Sequence, residues 1–398
     1  MNVRRPVGVT RRCFLQQSAL FVVGTALAGT MGNPAAASVN SPDDVSSKAG
    51  LAHLHPSIEY LRRQYSGRAE EIFADLRKAL LDTNETALKR TVLLSGAKTT
   101  DDPWSSYRHV RWDCRQLLEK AIVSGGDNSV LFRLSIGIRH WRSLAPSHDP
   151  HVAAVTKAWV NLQQIYFLDA KSYTPEKRTI LFIHGSRMGP FPVFNRMFND
   201  LSRNYNIAFF LYDHLEPIAD ISSRLNERWA AFRKAHGIEG SVGIVSLSYG
   251  SSIFRYAVLT QNPDLWQGAS LLEISPVVRG SKYLQWLNAV PTQLFVLELA
   301  VPNLKHWAEG VDGKEPPQRL IWAPEGVALF DKAVPVRLAL VPERDEHLSA
   351  ETRNHLSDLL GDGKFVVIKG ATHDTAPGLT EVIARADTFL ASSDSHNY

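Results

Sequence analysis

The sequence predicts an α/β fold, a mostly parallel sheet covered by helices, and three observations lead to it. After about residue 157, short apolar runs alternate with amphipathic stretches, as expected of parallel strands buried on both faces by crossover helices. Before that point, residues 51–156 carry apolar positions at helical spacing, which predicts a helical N-terminal extension. Late in the chain, Pro276–Lys332 is long, proline-rich and holds Trp286, Trp307 and Trp322. It reads as an insertion over about 277–332 between two consecutive strands. With 398 residues and 44% apolar composition, the chain is long enough to bury a sizeable core.

Taken in order, the first 37 residues read as an address. Thr10–Gln16, T-R-R-C-F-L-Q, resembles the twin-arginine export motif. The apolar run Ser18–Gly29 is too short and glycine-rich for a comfortable membrane anchor. Ala35-Ala36-Ala37 offers small residues for a signal peptidase, so a mature start near Ser38 is expected, with release to the periplasm or medium and no stable membrane anchor. Cys13 lies inside this segment and leaves Cys114 alone, so no intramolecular disulfide is expected in the mature chain. The net charge of +4 rests on Arg4, Arg5, Arg11 and Arg12; without them the protein is near neutral, which gives no electrostatic case for nucleic acid or an anionic membrane.

Residues 38–50 are Ser/Asp/Pro-rich and read as a linker. Ile72, Phe73, Leu76 and Leu80 recur at helical spacing, Asp82-Thr83-Asn84-Glu85 suits a cap for a second helix, and further helices are expected over Ser105–Ile122 and Val130–Leu144. Candidate strands follow at Val160–Leu168, Arg178–Ile183, Asn206–Leu211, Gly243–Val245 with its flanks, Ser270–Ile274, Val336–Val341 and Phe365–Ile368. His53-Leu54-His55 and His148-Asp149-Pro150-His151 lack the supporting cluster a metal site needs and read as loop histidines. No cofactor is expected.

Val242–Val258 crowds four serines, Ser246, Ser248, Ser251 and Ser252, between a strand and a helical run. A serine nucleophile at a strand end needs a sharp turn that leaves room only for small residues two before and two after it. Ser246 would have Ile244 behind it, Ser251 is flanked by Tyr249 and Ile253, and Ser252 has Phe254 ahead. Only Ser248, between Ser246 and Gly250, meets the requirement on both sides. A serine hydroxyl needs a base and a group to orient that base. His373 follows the last strand in K-G-A-T-H-D, and Asp345 follows the strand before it in P-E-R-D-E. Glu343 and Glu346 are close rivals for the acid, and Glu273 is an alternative on an earlier strand. An oxyanion pocket would take the Tyr249 N–H and a second N–H from the loop after the His-Gly strand, at Ser186 or Arg187.

Through I-H-G-S, S-L-S-Y-G, P-E-R-D and G-A-T-H-D, residues of about 160–395 resemble the α/β-hydrolase superfamily, closest in flavour to its lipase and esterase branch. The Arg255 that follows the elbow fits that branch. Ser246 in place of the first elbow glycine departs from the family pattern, as does a loop after Ile183 without three glycines. The resemblance implies an α/β-hydrolase fold with a cap insertion, a Ser-His-Asp triad of Ser248, His373 and Asp345, and a small-molecule or lipid-like ester as substrate. An acyltransferase or amidase would use the same acyl-enzyme. A non-catalytic binding module on the same scaffold is the alternative from another class.

Overall fold

The computed structural model describes residues 56–81, 103–126, 128–144, 149–186, 194–260, 263–277, 321, 323–345, 347–348, 350–361 and 363–394. The export segment, the linker, the cap motif at 82–85 and most of the expected insertion, with its three tryptophans, lie outside the described residues.

Four helices come first: α1 (Pro56–Leu81), α2 (Pro103–Val123), α3 (Asn128–Leu144) and α4 (Pro150–Leu162). The expected strand over Val160–Leu168 is corrected here. Asp149 accepts a hydrogen bond from the His151 N–H and Pro150 opens the first turn, so a helix starts at this point. It runs through Val155, Ala158, Trp159 and Leu162, all buried on one face, and leaves only Ile165–Phe167 to form β1. His151 accordingly sits in the first turn of α4, not in a loop.

The other strands are β2 (Thr179–Ile183), β3 (Asn206–Phe210), β4 (Gly243–Leu247), β5 (Ser270–Ile274), β6 (Val336–Pro342) and β7 (Phe365–Ile368). They form one seven-stranded sheet in the order β1-β3-β2-β4-β5-β6-β7. Only β1 is antiparallel, facing β3 with Ile165 opposite Phe210; β2 to β7 all run parallel. With helices between successive strands from β2 onward, this is the α/β-hydrolase fold.

Side chains alternate across each strand, so the sheet builds two cores. Ile180, Phe182, Val245 and Leu272 face one layer, where α5 (Asn195–Leu201) and α10 (Thr380–Asp394) pack beside the N-terminal helices. Leu181, Ile183, Ile244 and Leu271 face the other layer, covered by α6 (Ile218–His236), α7 (Tyr249–Thr260) and α8 (Pro324–Ala333). Helix α9 (Ala350–Leu360) adds Leu356 and Leu360 to a smaller cluster with Ala339 and Val341. Because the six parallel strands share a direction, all their carboxyl ends lie along one edge. Chain order reverses between β2 and β4, and ligands of open α/β sheets bind outside the carboxyl strand ends at such a switch point.

Candidate active site

The strand-to-helix turn at Ser248 has the geometry its neighbours imply. β4 ends at Leu247 and α7 begins at Tyr249, so a single residue reverses the chain. Ser248 takes φ 53°, and Ser275 is the other described non-glycine residue with positive φ. Such a conformation costs on the order of 1–3 kcal/mol and persists only where surrounding contacts enforce it. Here the Ser248 N–H donates to the Ile274 carbonyl at 2.9 Å and the Ser251 N–H to the Ser248 carbonyl at 3.1 Å. A methyl group on Gly250 would come within 2.5 Å of the backbone oxygens of both Ile183 and His184. On Gly185, it would lie 3.2 Å from Ser248 Cβ. The turn is thus wedged between β2 and β5 with no room for larger residues. Ser246 meets the size limit while adding a bond, its buried hydroxyl lying 2.9 Å from that of Ser251.

Along the same edge, Asp345 follows β6 and His373 follows β7, two and three strands from β4, and the two side chains are in contact. The His373 Nδ1 lies 3.0 and 2.9 Å from the two Asp345 carboxylate oxygens. Asp345 Oδ1 also accepts the N–H groups of His347 at 2.9 Å and Leu348 at 3.2 Å. Burial pushes this carboxyl up, but the hydrogen bond and charge of His373, the His347 N–H and the His347 ring outweigh burial and hold it below its usual value. An ionised carboxylate only accepts, so Nδ1 carries the proton that faces Asp345, and the neutral tautomer selected in this way has Nε2 as its acceptor. Both side chains are nearly buried. The His373 loop is folded onto the acid loop by the Arg344 N–H donating to the Ala371 carbonyl at 2.9 Å. Thr372 and Thr375 close a tight turn around it, the Thr372 N–H donating to Thr375 Oγ1 at 2.9 Å.

Two of the rival acids have partners of their own. Glu273 is fully buried and held in a two-pronged pair by Arg255, with Nε–Oε1 at 2.9 Å and Nη2–Oε2 at 2.6 Å. The Arg255 guanidinium also lies 4.4 Å over the Phe330 ring. Glu343 is exposed, and its carboxylate accepts the Gly370 N–H at 2.9 Å. Glu346 lies outside the described residues.

Of the candidate oxyanion donors, Tyr249 is buried at the amino end of α7, where helix N–H groups and the positive end of the helix dipole gather. Ser186 follows Gly185 beside Ser248 and is half-buried; Arg187 lies outside the described residues. Sequence reasoning passed over Tyr212, which stacks on His184 with ring centroids 4.0 Å apart. Its only visible signal was its place directly after the β3 run.

No protein-family model matches the chain, and no curated protein matches it. Solved structures with a similar course include a bacterial membrane phospholipase A at 17% identity, covering 62% of this chain and 91% of that one, with a TM-score of 0.39. A thermophilic esterase from Thermogutta terrifontis shares 15% identity over 57% of this chain and 93% of its own, with a TM-score of 0.39. A peroxisomal α/β-hydrolase from Saccharomyces cerevisiae shares 14% identity over 59% of this chain and 82% of its own, with a TM-score of 0.41. Likenesses this distant say nothing about activity; the fold stands on its own strand order.

Proposed function

We propose that this protein is an exported serine hydrolase that cleaves a carboxylic ester through an acyl-enzyme. Ser248 is the nucleophile, His373 the base and Asp345 the residue that orients the base. The observation that carries the reading is the strained turn holding Ser248 at φ 53°, on the same sheet edge as the Asp345–His373 pair. Strain of this kind is maintained against a cost, and an oriented imidazole beside a carboxylate is the partner a serine hydroxyl needs.

In the reaction, Nε2 of His373 takes the Ser248 proton as Oγ bonds to the ester carbon and the carbonyl π pair moves onto oxygen. The oxyanion is received by the Tyr249 N–H and by an N–H of the loop after β2. Collapse breaks the bond to the alkoxy group, which leaves with the His373 proton. Water then gives a proton to His373, adds to the acyl carbon and releases the acid, restoring Ser248. Where a good leaving group makes acylation faster than deacylation, the serine ester of the acyl chain accumulates. With p-nitrophenyl esters of graded length, a stoichiometric burst of p-nitrophenol is expected, and Ser248→Ala should abolish both burst and turnover. Unchanged turnover in that variant would sink the reading.

The exported location rests on Arg11-Arg12, the apolar run after them and Ala35-Ala36-Ala37. Amino-terminal sequencing of protein recovered from the periplasm or medium should begin near Ser38, whereas an intact Met1 end there would contradict it.

A further inference from the structure

Resting on the serine-hydrolase reading above, we infer that Tyr212 is a positioning residue for the oxyanion-binding loop. It orients the Ser186 N–H, and helices α3 and α4 brace it through Asp213. The Tyr212 hydroxyl lies 2.5 Å from the His184 carbonyl oxygen and 3.1 Å from that of Gly185, so one proton is shared between two consecutive carbonyls. His184 Nδ1 lies 2.9 Å from the same Gly185 oxygen. In a planar trans peptide the C=O of one residue and the N–H of the next point in opposite directions. Fixing the Gly185 oxygen against Tyr212 therefore fixes the direction of the Ser186 N–H, facing away from Tyr212. Gly185 itself runs against Ser248, so this peptide borders the nucleophile. Burial, and secondarily Tyr249, push the Tyr212 phenol well above its usual value, which keeps it a donor throughout the working range.

Tyr212 is clamped from behind by the N-terminal helices. The Leu211 N–H donates to the Gln164 carbonyl at 3.0 Å and the Asp213 N–H to Gln163 Oε1 at 3.2 Å, both just past the end of α4. The fully buried Asp213 carboxylate accepts Ser135 Oγ at 2.9 Å and Arg139 Nη2 at 2.8 Å from α3, and Trp159 Nε1 at 2.8 Å from α4. The Leu215 N–H, at 3.0 Å, completes its set. A buried carboxylate with every lone pair engaged is a rigid joint. This joint sits one residue from the side chain that sets the loop. The helical extension therefore belongs to the catalytic unit of the reading above, although it contributes no side chain to the triad.

Tyr212→Phe removes one oxygen and keeps the ring stacked on His184. The expected result is a fall in kcat of about 10- to 100-fold, below the ~100- to 1,000-fold typical of deleting an oxyanion donor outright. KM should stay within about twofold, because the oxyanion forms only in the transition state. Phosphonylation of Ser248 by a fluorophosphonate should slow by a similar factor at a temperature where both proteins are folded by circular dichroism. If the wild type labels at Ser248 and folded Tyr212→Phe labels equally fast, the inference is overturned and the serine-hydrolase reading survives. If the wild type does not label at Ser248, both fall. Should Tyr212→Phe not fold, Trp159→Phe removes one donor from Asp213 and carries the same prediction, with a severalfold loss in kcat at constant KM. An unchanged kcat there would overturn the brace.

Discussion

Ser246 occupies a position where the turn at Ser248 tolerates only a small side chain, and its hydroxyl bonds to Ser251 2.9 Å away inside the core. Replacing it with glycine satisfies the steric demand but strands the Ser251 hydroxyl, which is itself buried. Ser246→Gly is thus expected to lose about 1–3 kcal/mol of stability in a denaturant melt, while ester turnover stays within severalfold of wild type. Gly250→Ala should behave in the opposite way at the site. Its new methyl meets two backbone oxygens at 2.5 Å and must push the turn off the strand ends. The sharp turn at Ser248 was legible in the sequence because this crowding is local, set by residues two positions either side. The sequence alone did not separate Asp345 from Glu273, since the guanidinium that engages Glu273 is 18 positions away. Tyr212 was illegible for the same reason, as the carbonyls it holds lie just past the end of another strand, 28 and 27 positions away.

Between elements, the Arg255–Glu273 pair ties α7 to β5, and both side chains are fully buried. Removing one member of such a pair leaves a buried charge without compensation, typically at a cost of about 3–5 kcal/mol. Glu273→Ala is therefore expected to lower the melting temperature substantially yet retain fluorophosphonate labelling at temperatures where it remains folded. Asp345→Asn should do the reverse, keeping the fold but losing about four orders of magnitude in turnover, as happens where the orienting acid of a triad is neutralised. Equal losses of turnover in the two variants would reopen the assignment of the acid. The parallel strands were readable as apolar runs because burial on both faces leaves no polar alternation to confuse. The expectation for Val160–Leu168 failed because a branched apolar run suits a buried helix end as well as a strand, and the deciding cap at Asp149 lies 11 residues before Val160.

Across the whole molecule, two buried carboxylates tie acid stability to the site and its brace. Burial pushes Asp213 up, but Arg139, His214, the Trp159 N–H and the Leu215 N–H together bring it below its ordinary value; Asp345 is likewise lowered. A carboxyl whose folded pKa is depressed contributes stability that is fully present above its unfolded value, about 3.9. That contribution is lost as pH falls through the folded value. Denaturant melts should show the share of these two groups level from neutrality to about pH 5 and falling below about pH 4. Asp213→Asn should remove part of that slope and, by leaving the nearly buried Arg139 without its charge partner, lower stability at pH 7. The mostly parallel sheet and its covering layers were foreshadowed by the alternation of apolar runs, but the strand order and the attachment of the helical extension were not. That attachment depends on Ser135 and Arg139 of α3 and Trp159 of α4 meeting one aspartate that follows β3. Whether Ser248 is an activated nucleophile is tested most directly by fluorophosphonate labelling of the mature protein with mapping of the modified peptide. A single adduct is expected on the peptide containing Ser248, absent in Ser248→Ala and strongly slowed in His373→Ala. Folded wild-type protein that takes no adduct there would contradict nucleophile activation at Ser248.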